Sequence, residues 1–219
     1  MPRKRQPSKN SSASNAFNNA TSNVSNNATS NVSKHGHHQL RIIGGQWRSR
    51  KLSFTATEGL RPTQDRVRET LFNWLMYDVE GVNCLDVFAG SGALGLEALS
   101  RGAKHVQFIE KSQAAAKQIN QHLITLDCSR GKVTNTDALQ FLSTPANKAF
   151  DVIFLDPPFN QELLIPCCEL LIQQGYCQTD TFIYVEAEPD VDLSKLPEQW
   201  HVVKDKSQSS KHVVLYQQQ

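Results

Sequence analysis

From Cys84 onward, short apolar runs alternate with longer stretches whose apolar positions recur every three or four residues. The runs CLDVF (84–88), HVQFIE (105–110), KVTNT (132–136), DVIFLD (151–156) and FIYVEAE (182–188) have strand length and strand composition. Between them, 93–100, 112–126, 138–143 and 161–174 have helical spacing. In the second of these, Ser112 is placed to cap the N-terminus, and Ala115, Ile119, Leu123 and Leu126 fall on one face. Arg101 and Gly102 form a stop signal for the first. Strands that are apolar on both faces belong to a parallel sheet covered by helices. The alternation therefore predicts a doubly wound α/β domain. Its end differs: HVVKDK (201–206) and KHVVLY (211–216) flank a Ser-rich turn and predict an antiparallel β-hairpin.

Ahead of Cys84 the pattern changes. Residues 41–54 read as two short strands bent at Gly44 and Gly45, followed by GLRPT and a helix from Gln64 to Tyr77. That helix has Val67, Leu71, Trp74 and Leu75 facing inward and Asp65 near its positive end. Earlier still, NNATSNVS occurs at 18–25 and again at 26–33, in a tract too polar to bury itself against its own ordering entropy. The predicted organisation is a disordered basic leader over 1–39, a β-hairpin extension over 40–63 and a main domain over 64–219.

Composition narrows the function. No apolar run is long enough to cross a membrane, and no secretory signal opens the chain. The N-x-S/T sequons of the leader therefore carry no weight. Five irregularly spaced cysteines without a C-x-x-C pair fit small buried side chains in a reducing cytosol, not a disulfide framework or zinc site. His35, His37 and His38 read as part of a solvated linker, and no metal is expected. Residues 1–57 hold nine Lys or Arg and no acid, whereas the rest of the chain is net acidic. A basic front on an acidic body points to a phosphate-bearing partner. Its candidate contacts are Arg41, Trp47, Arg48, Arg50, Lys51, Arg61, Arg66 and Arg68, basic residues interleaved with one aromatic. For Arg66 and Arg68, a solvated helix face or a pair with Glu69 is the competing reading.

Two motifs carry chemistry. In LDVFAGSGALGLEAL (85–99), Gly90, Gly92 and Gly95 join a strand to a helix, where glycines admit close ligand approach and open amides favour an anion. Glu110 ends the next strand, where a carboxylate can accept from both hydroxyls of a ribose. This pattern suits NAD as well as S-adenosylmethionine. Asp156-Pro157-Pro158-Phe159 follows a later strand, at the sheet edge where α/β proteins bind ligands. An exocyclic base amine is a poor nucleophile because its lone pair is delocalised. The Asp156 carboxylate and the Pro157 carbonyl are two acceptors that would localise it, and Phe159 offers a face for stacking the base. Asp137, after the third strand, can serve as a helix N-cap or as acceptor for an adenine amine, and both stay open.

Taken in order, GGQWRSRKL, GLRPTQDRVRETLFNWL, LDVFAGSGALGLEALSRGA, the acid in FIEKS and VIFLDPPF resemble the bacterial 16S rRNA guanine-N2 methyltransferases of the RsmD family. The resemblance covers residues 40–216 and leaves out the leader. It implies a Rossmann-like class I fold with a small N-terminal β-hairpin and S-adenosyl-L-methionine as cofactor. The implied acceptor is the N2 amine of one guanine in 16S rRNA, within the small ribosomal subunit or a late assembly intermediate. By motif, Asp86, Phe88, Gly90 and Gly92 fall in the cofactor loop, Glu110 at the ribose, and Asp137 and Ala138 beside the adenine. Thr63, with Arg61 and Pro62, lines the site from the N-terminal side. Asp156, Pro157 and Phe159 hold the flipped-out guanine. A cytoplasmic monomer is expected. The alternatives are adenine-N6 methylation of DNA or another RNA and a non-catalytic assembly factor. An NAD oxidoreductase is disfavoured by the lack of a hydride-transfer acid/base set.

Overall fold

The fold is that of a computed structural model, which describes residues 37–55, 65–159 and 161–219. The expected leader up to residue 36 and the GLRPT segment, with Arg61, Pro62 and Thr63, lie outside the described residues.

Two strands open the described chain, β1 (His37–Arg41) and β2 (Lys51–Thr55), paired antiparallel. The first begins at His37, inside the span expected for the leader. A 3-10 turn, Gly45–Trp47, makes the bend. Then follow α1 (Asp65–Trp74), β3 (Asn83–Asp86), α2 (Ala93–Ser100), β4 (His105–Glu110), α3 (Gln113–Thr125), β5 (Gly131–Asn135), α4 (Ala138–Leu142), β6 (Val152–Leu155), α5 (Leu164–Gln173), β7 (Phe182–Ala187), β8 (Trp200–Asp205) and β9 (His212–Gln218). Seven strands form one sheet in the order β5-β4-β3-β6-β7-β9-β8. The first five of these run parallel. β9 runs antiparallel to both its neighbours, so the expected terminal hairpin is present and closes the sheet.

The apolar runs explain the layering. Phe108, Phe154, Tyr184 and Leu215 point to the face covered by α1, α2 and α3. The alternate positions Ile109, Ile153, Val185 and Val214 point to the face covered by α4 and α5. Each fully buried side chain of this size contributes about 1.5–3 kcal/mol. The α1 stripe is rotated from the expected one: Leu71, Phe72 and Leu75 are buried, while Val67 and Trp74 are only partly covered. Phe72 reaches Phe154 of β6, ring centroids 6.0 Å apart. In α3, Ser112 caps the first turn as expected, and Ala115, Ile119, Leu123 and Leu126 are buried.

The N-terminal hairpin docks on the far end of α2. Glu97, fully buried, accepts hydrogen bonds from the backbone N–H of Ile43 and of Gly44, both at 2.8 Å, and from Arg101 Nε at 2.8 Å. Ser100 Oγ accepts from Trp47 N–H at 3.0 Å and donates to the Gly44 carbonyl at 2.6 Å. Leu40, Ile42, Trp47 and Leu52 complete the contact by entering the core.

Two residues expected at an RNA-facing surface are therefore elsewhere. Trp47 is buried, and the Arg130 guanidinium lies 5.8 Å from its ring centroid, so its ring stabilises hairpin docking instead of meeting a base. Arg68 is fully buried and donates to Asp65 Oδ1 at 2.6 Å and to the Arg41 carbonyl at 2.8 Å. It shares a stripe with Leu71, Phe72 and Leu75, which carries it inward. Arg41, Arg48, Arg50, Lys51 and Arg66 are exposed.

Candidate active site

The strand order reverses at β3, which has β4 on one side and β6 on the other. Crevices form at such switch points, outside the carboxyl ends of the strands. Both predicted motifs lie there: the Gly-rich loop leaves β3, and Asp156-Pro157-Pro158-Phe159 leaves β6.

The loop is held from below and from both sides. Val87 N–H donates to Phe154 O at 3.1 Å, and Ala89 N–H to Ile109 O at 3.0 Å, tying it to β6 and β4. Gly92 adopts φ 80° as it enters α2 with no side-chain cap. That left-handed backbone suits glycine, and with no side chain capping the helix the amides of Ala93 and Leu94, ahead of Gly95, are the ones a ligand could meet. Gly95 is required for a different reason: a Cβ there would sit 2.1 Å from Phe108 Cε1. Asp86 does not reach the crevice surface. It is buried under the loop and accepts from Gly95 N–H at 3.0 Å. Burial pushes its carboxyl up to about 7, against the Gly95 hydrogen bond, which lowers it, and with the Glu110 charge adding to the rise. Phe88 is half-buried, packed against the core under α4 and α5.

Glu110 is oriented by two backbone amides, Gly90 N–H to Oε2 at 2.7 Å and Ser112 N–H to Oε1 at 2.6 Å. A carboxylate offers about four acceptor positions, so each oxygen keeps one for a further donor. Two adjacent hydroxyls, as on a ribose, match that arrangement. Burial raises the Glu110 pKa, while the two amide bonds lower it. Asn135 Nδ2 donates to the carbonyls of Glu110 and Lys111 at 2.7 and 2.9 Å, fixing the turn that carries the acid.

Asp137 caps α4, with Oδ1 accepting from Leu139 N–H at 2.9 Å and Gln140 N–H at 3.4 Å. Its Oδ2 meets Lys111 Nζ at 3.1 Å, and that contact holds its pKa below the ordinary value. Ala138 is buried in the first turn of the same helix.

On the other side of the switch point, Asp156 is half-buried, Pro157 buried and Phe159 38 % exposed. Pro157, Phe159 and Leu164 border a hollow of about 20 Å³ against Ala187 of β7. Asp156 shares a sheet face with Tyr184 and Glu186, since side chains repeat every second residue and β6 pairs with β7 in register. Tyr184 Oη donates to Glu186 Oε2 at 2.8 Å, and Lys211 Nζ pairs with Glu186 Oε1. Burial, then the charges of Glu186 and Asp156, push the Tyr184 phenol well up. This buried network escaped the sequence reading. Its signal was a glutamate inside the otherwise apolar strand FIYVEA.

The family model described as Conserved hypothetical protein 95 matches residues 40–217. Ribosomal RNA small subunit methyltransferase D of Haemophilus influenzae is 48% identical over 182 residues, 82% of this chain and 94% of its own length. The chain belongs to the RsmD family. The Escherichia coli methyltransferase D is 45% identical over 187 residues, covering 84% of this chain and 92% of its own. A solved structure described as a putative methyltransferase from Escherichia coli superposes with TM-score 0.76 at 42% identity, covering 83% of this chain and 99% of that one. The RsmD-family chain thus has the class I methyltransferase fold expected from its motifs, with the mostly parallel sheet and antiparallel C-terminal strands.

Proposed function

We propose that this RsmD-family protein transfers a methyl group from S-adenosylmethionine to the exocyclic N2 amine of one guanine in the 16S rRNA of the small ribosomal subunit. The observation that carries the reading is a juxtaposition. A loop and acid suited to a nucleoside donor end β3 and β4, and an acceptor pair suited to an amine ends the adjacent strand β6.

The residues present fit the cofactor. Glu110 would take the ribose hydroxyls, the loop amides and the open N-terminus of α2 would take the carboxylate, and Asp137 with Ala138 would border the adenine. Phe88 and Gly90 would shape the loop around the donor, with Asp86 acting beneath it as its brace. When bound, the cofactor supplies an electrophilic methyl on a sulfonium.

The chain's own contribution is to prepare the amine. One N–H of the guanine amine donates to the Asp156 carboxylate and the other to the Pro157 carbonyl. Held by both, the nitrogen leaves the ring plane and its lone pair is localised. Phe159 stacks on the extruded base and fixes its height. Accepting the methyl would leave the nitrogen cationic, and the Asp156 carboxylate would stabilise that charge. The extra proton then leaves by way of Asp156, whose half-exposed position opens toward water. Preorganised acceptors of this kind are worth about 10²–10³ in rate each.

Methyl transfer from labelled cofactor to small subunits, naked 16S rRNA and duplex DNA tests the reading. The expected result is transfer to ribosomal substrate, lost by at least about 10²-fold in Asp156→Asn while S-adenosylhomocysteine still binds. Near-normal activity of that variant would overturn the acceptor mechanism. Transfer to duplex DNA in preference to subunits would overturn the substrate.

A further inference from the structure

Between β2 and α3 runs an open groove of about 560 Å³, on the far side of the cofactor loop from Asp156. One wall is the edge of β2 that does not pair with β1. The other is a single face of α3, from Ala114 to Thr125. At 1.5 Å per residue, that face is about 16 Å long.

The seam beneath the groove is closed by hydrogen bonds. Gln118 Nε2 donates to the Ser53 carbonyl at 3.1 Å, and His122 Nε2 meets the same oxygen at 3.1 Å. A carbonyl only accepts, so Nε2 carries the proton. Burial lowers the pKa of this imidazole, so the floor of the groove is neutral at physiological pH. Because Ser53 aims its carbonyl at α3, its N–H faces the same way. The walls carry exposed Lys51 and Lys117, the polar Gln121, and at the lower end Arg50, whose Nη1 reaches Thr125 O at 3.5 Å. Among the described residues lining the groove, none is acidic.

This chemistry selects an occupant. Two ammonium groups on opposite walls, with amide and hydroxyl groups between them and no carboxylate, match a phosphodiester chain with its 2′-hydroxyls. The length suits up to about five stacked nucleotides at ~3.4 Å each. The upper end opens beside Ala114, two residues beyond Ser112, whose N–H orients Glu110. A strand lying here is thus delivered to the carboxyl edge of the sheet, where the reaction takes place.

We propose that the β2–α3 groove carries the RNA backbone flanking the target guanine, with Lys51 and Lys117 each neutralising one phosphate. The proposal rests on the rRNA reading above and adds to it the path of the strand. Lys117 and α3 lie far in sequence from the basic front and enter only through the fold.

The test measures binding of the full chain to a 16S rRNA fragment and to small subunits across a salt series, for wild type, Lys51→Met, Lys117→Met and the double variant. Each lost phosphate contact should lower the slope of log K against log salt by about 0.7. The double variant should therefore lose about 1.4 from the slope, with Kd raised at least tenfold in low salt. S-adenosylhomocysteine affinity and Tm should not change, which separates the effect from misfolding. An unchanged slope, with Kd within twofold of wild type, overturns the proposal. So does loss of subunit binding with fragment binding intact, which would assign the groove to a ribosomal protein. Absence of methyl transfer by the wild type on every RNA substrate would sink the functional reading alone, since the salt slope reports on the groove independently.

Discussion

Glu97 joins the N-terminal hairpin to the methyltransferase domain through a single buried carboxylate. Glu97→Ala removes the acceptor for the amides of Ile43 and Gly44 and the partner of Arg101. Hydrogen bonds to a charged group contribute about 1.5–3 kcal/mol each, and removing one member of a buried charged pair costs about 3–5 kcal/mol. With the hairpin amides partly rehydrated after release, the net loss should be about 4 kcal/mol. At a urea m-value near ~2 kcal/mol/M this moves the unfolding midpoint by about 2 M. Glu97→Gln keeps one acceptor oxygen but points an NH2 at the second donor, and should lie about halfway. Urea denaturation followed by circular dichroism gives the midpoint, and amide exchange of residues 42–48 shows whether the hairpin opens before the rest. A midpoint within about 0.5 M of wild type, with exchange in 42–48 unaltered, would refute the assignment of Glu97 as the anchor.

Three further outcomes follow from the site. The Asp86 carboxyl is pushed up to about 7 from 3.8 by burial, so its contribution to stability is complete below pH ~4 and is lost as pH rises through ~7; relative to Asp86→Asn, the wild type should lose stability progressively from pH ~4 to ~7 and level off above, measured by urea midpoints at each pH. Gly95→Ala would force a Cβ to 2.1 Å from the buried Phe108 ring, costing about 2–3 kcal/mol and lowering Tm by roughly 5–10 °C in a thermal melt. Glu110→Gln loses an anionic acceptor and sets an NH2 against Gly90 or Ser112 N–H; S-adenosylhomocysteine affinity should fall about 10–100-fold by calorimetry.

The sheet was legible because its strands are buried on both faces, and runs such as VIFL carry that burial in their composition. The Gly-rich loop, Glu110 and Asp156-Pro157 were legible because each follows a strand that had to end at the carboxyl edge. The hairpin was harder. Trp47 between basic residues looked like a stacking surface, yet Gly45 turns the chain so that the indole meets Arg130, more than 80 residues away. Arg68 departs from the rule that a charge on a helix is solvated; its spacing from Leu71, Phe72 and Leu75 carries the contrary signal. Of the two readings of Asp137, the fold displays the N-cap, made through Oδ1, while Oδ2 holds Lys111. Lys117 and Ser53 share a groove only after folding, and no local pattern joins them.

Helix α2 is eight residues long, about 12 Å. One end shapes the loop around Gly90 and Gly92; the other holds Gly44 and Trp47 through Glu97 and Ser100. So short a rod has little room to flex, and a displacement of the hairpin would be passed on to the loop. Such a connection is thermodynamically two-way: whatever factor RNA adds to the grip on S-adenosylhomocysteine, S-adenosylhomocysteine must add to the grip on RNA.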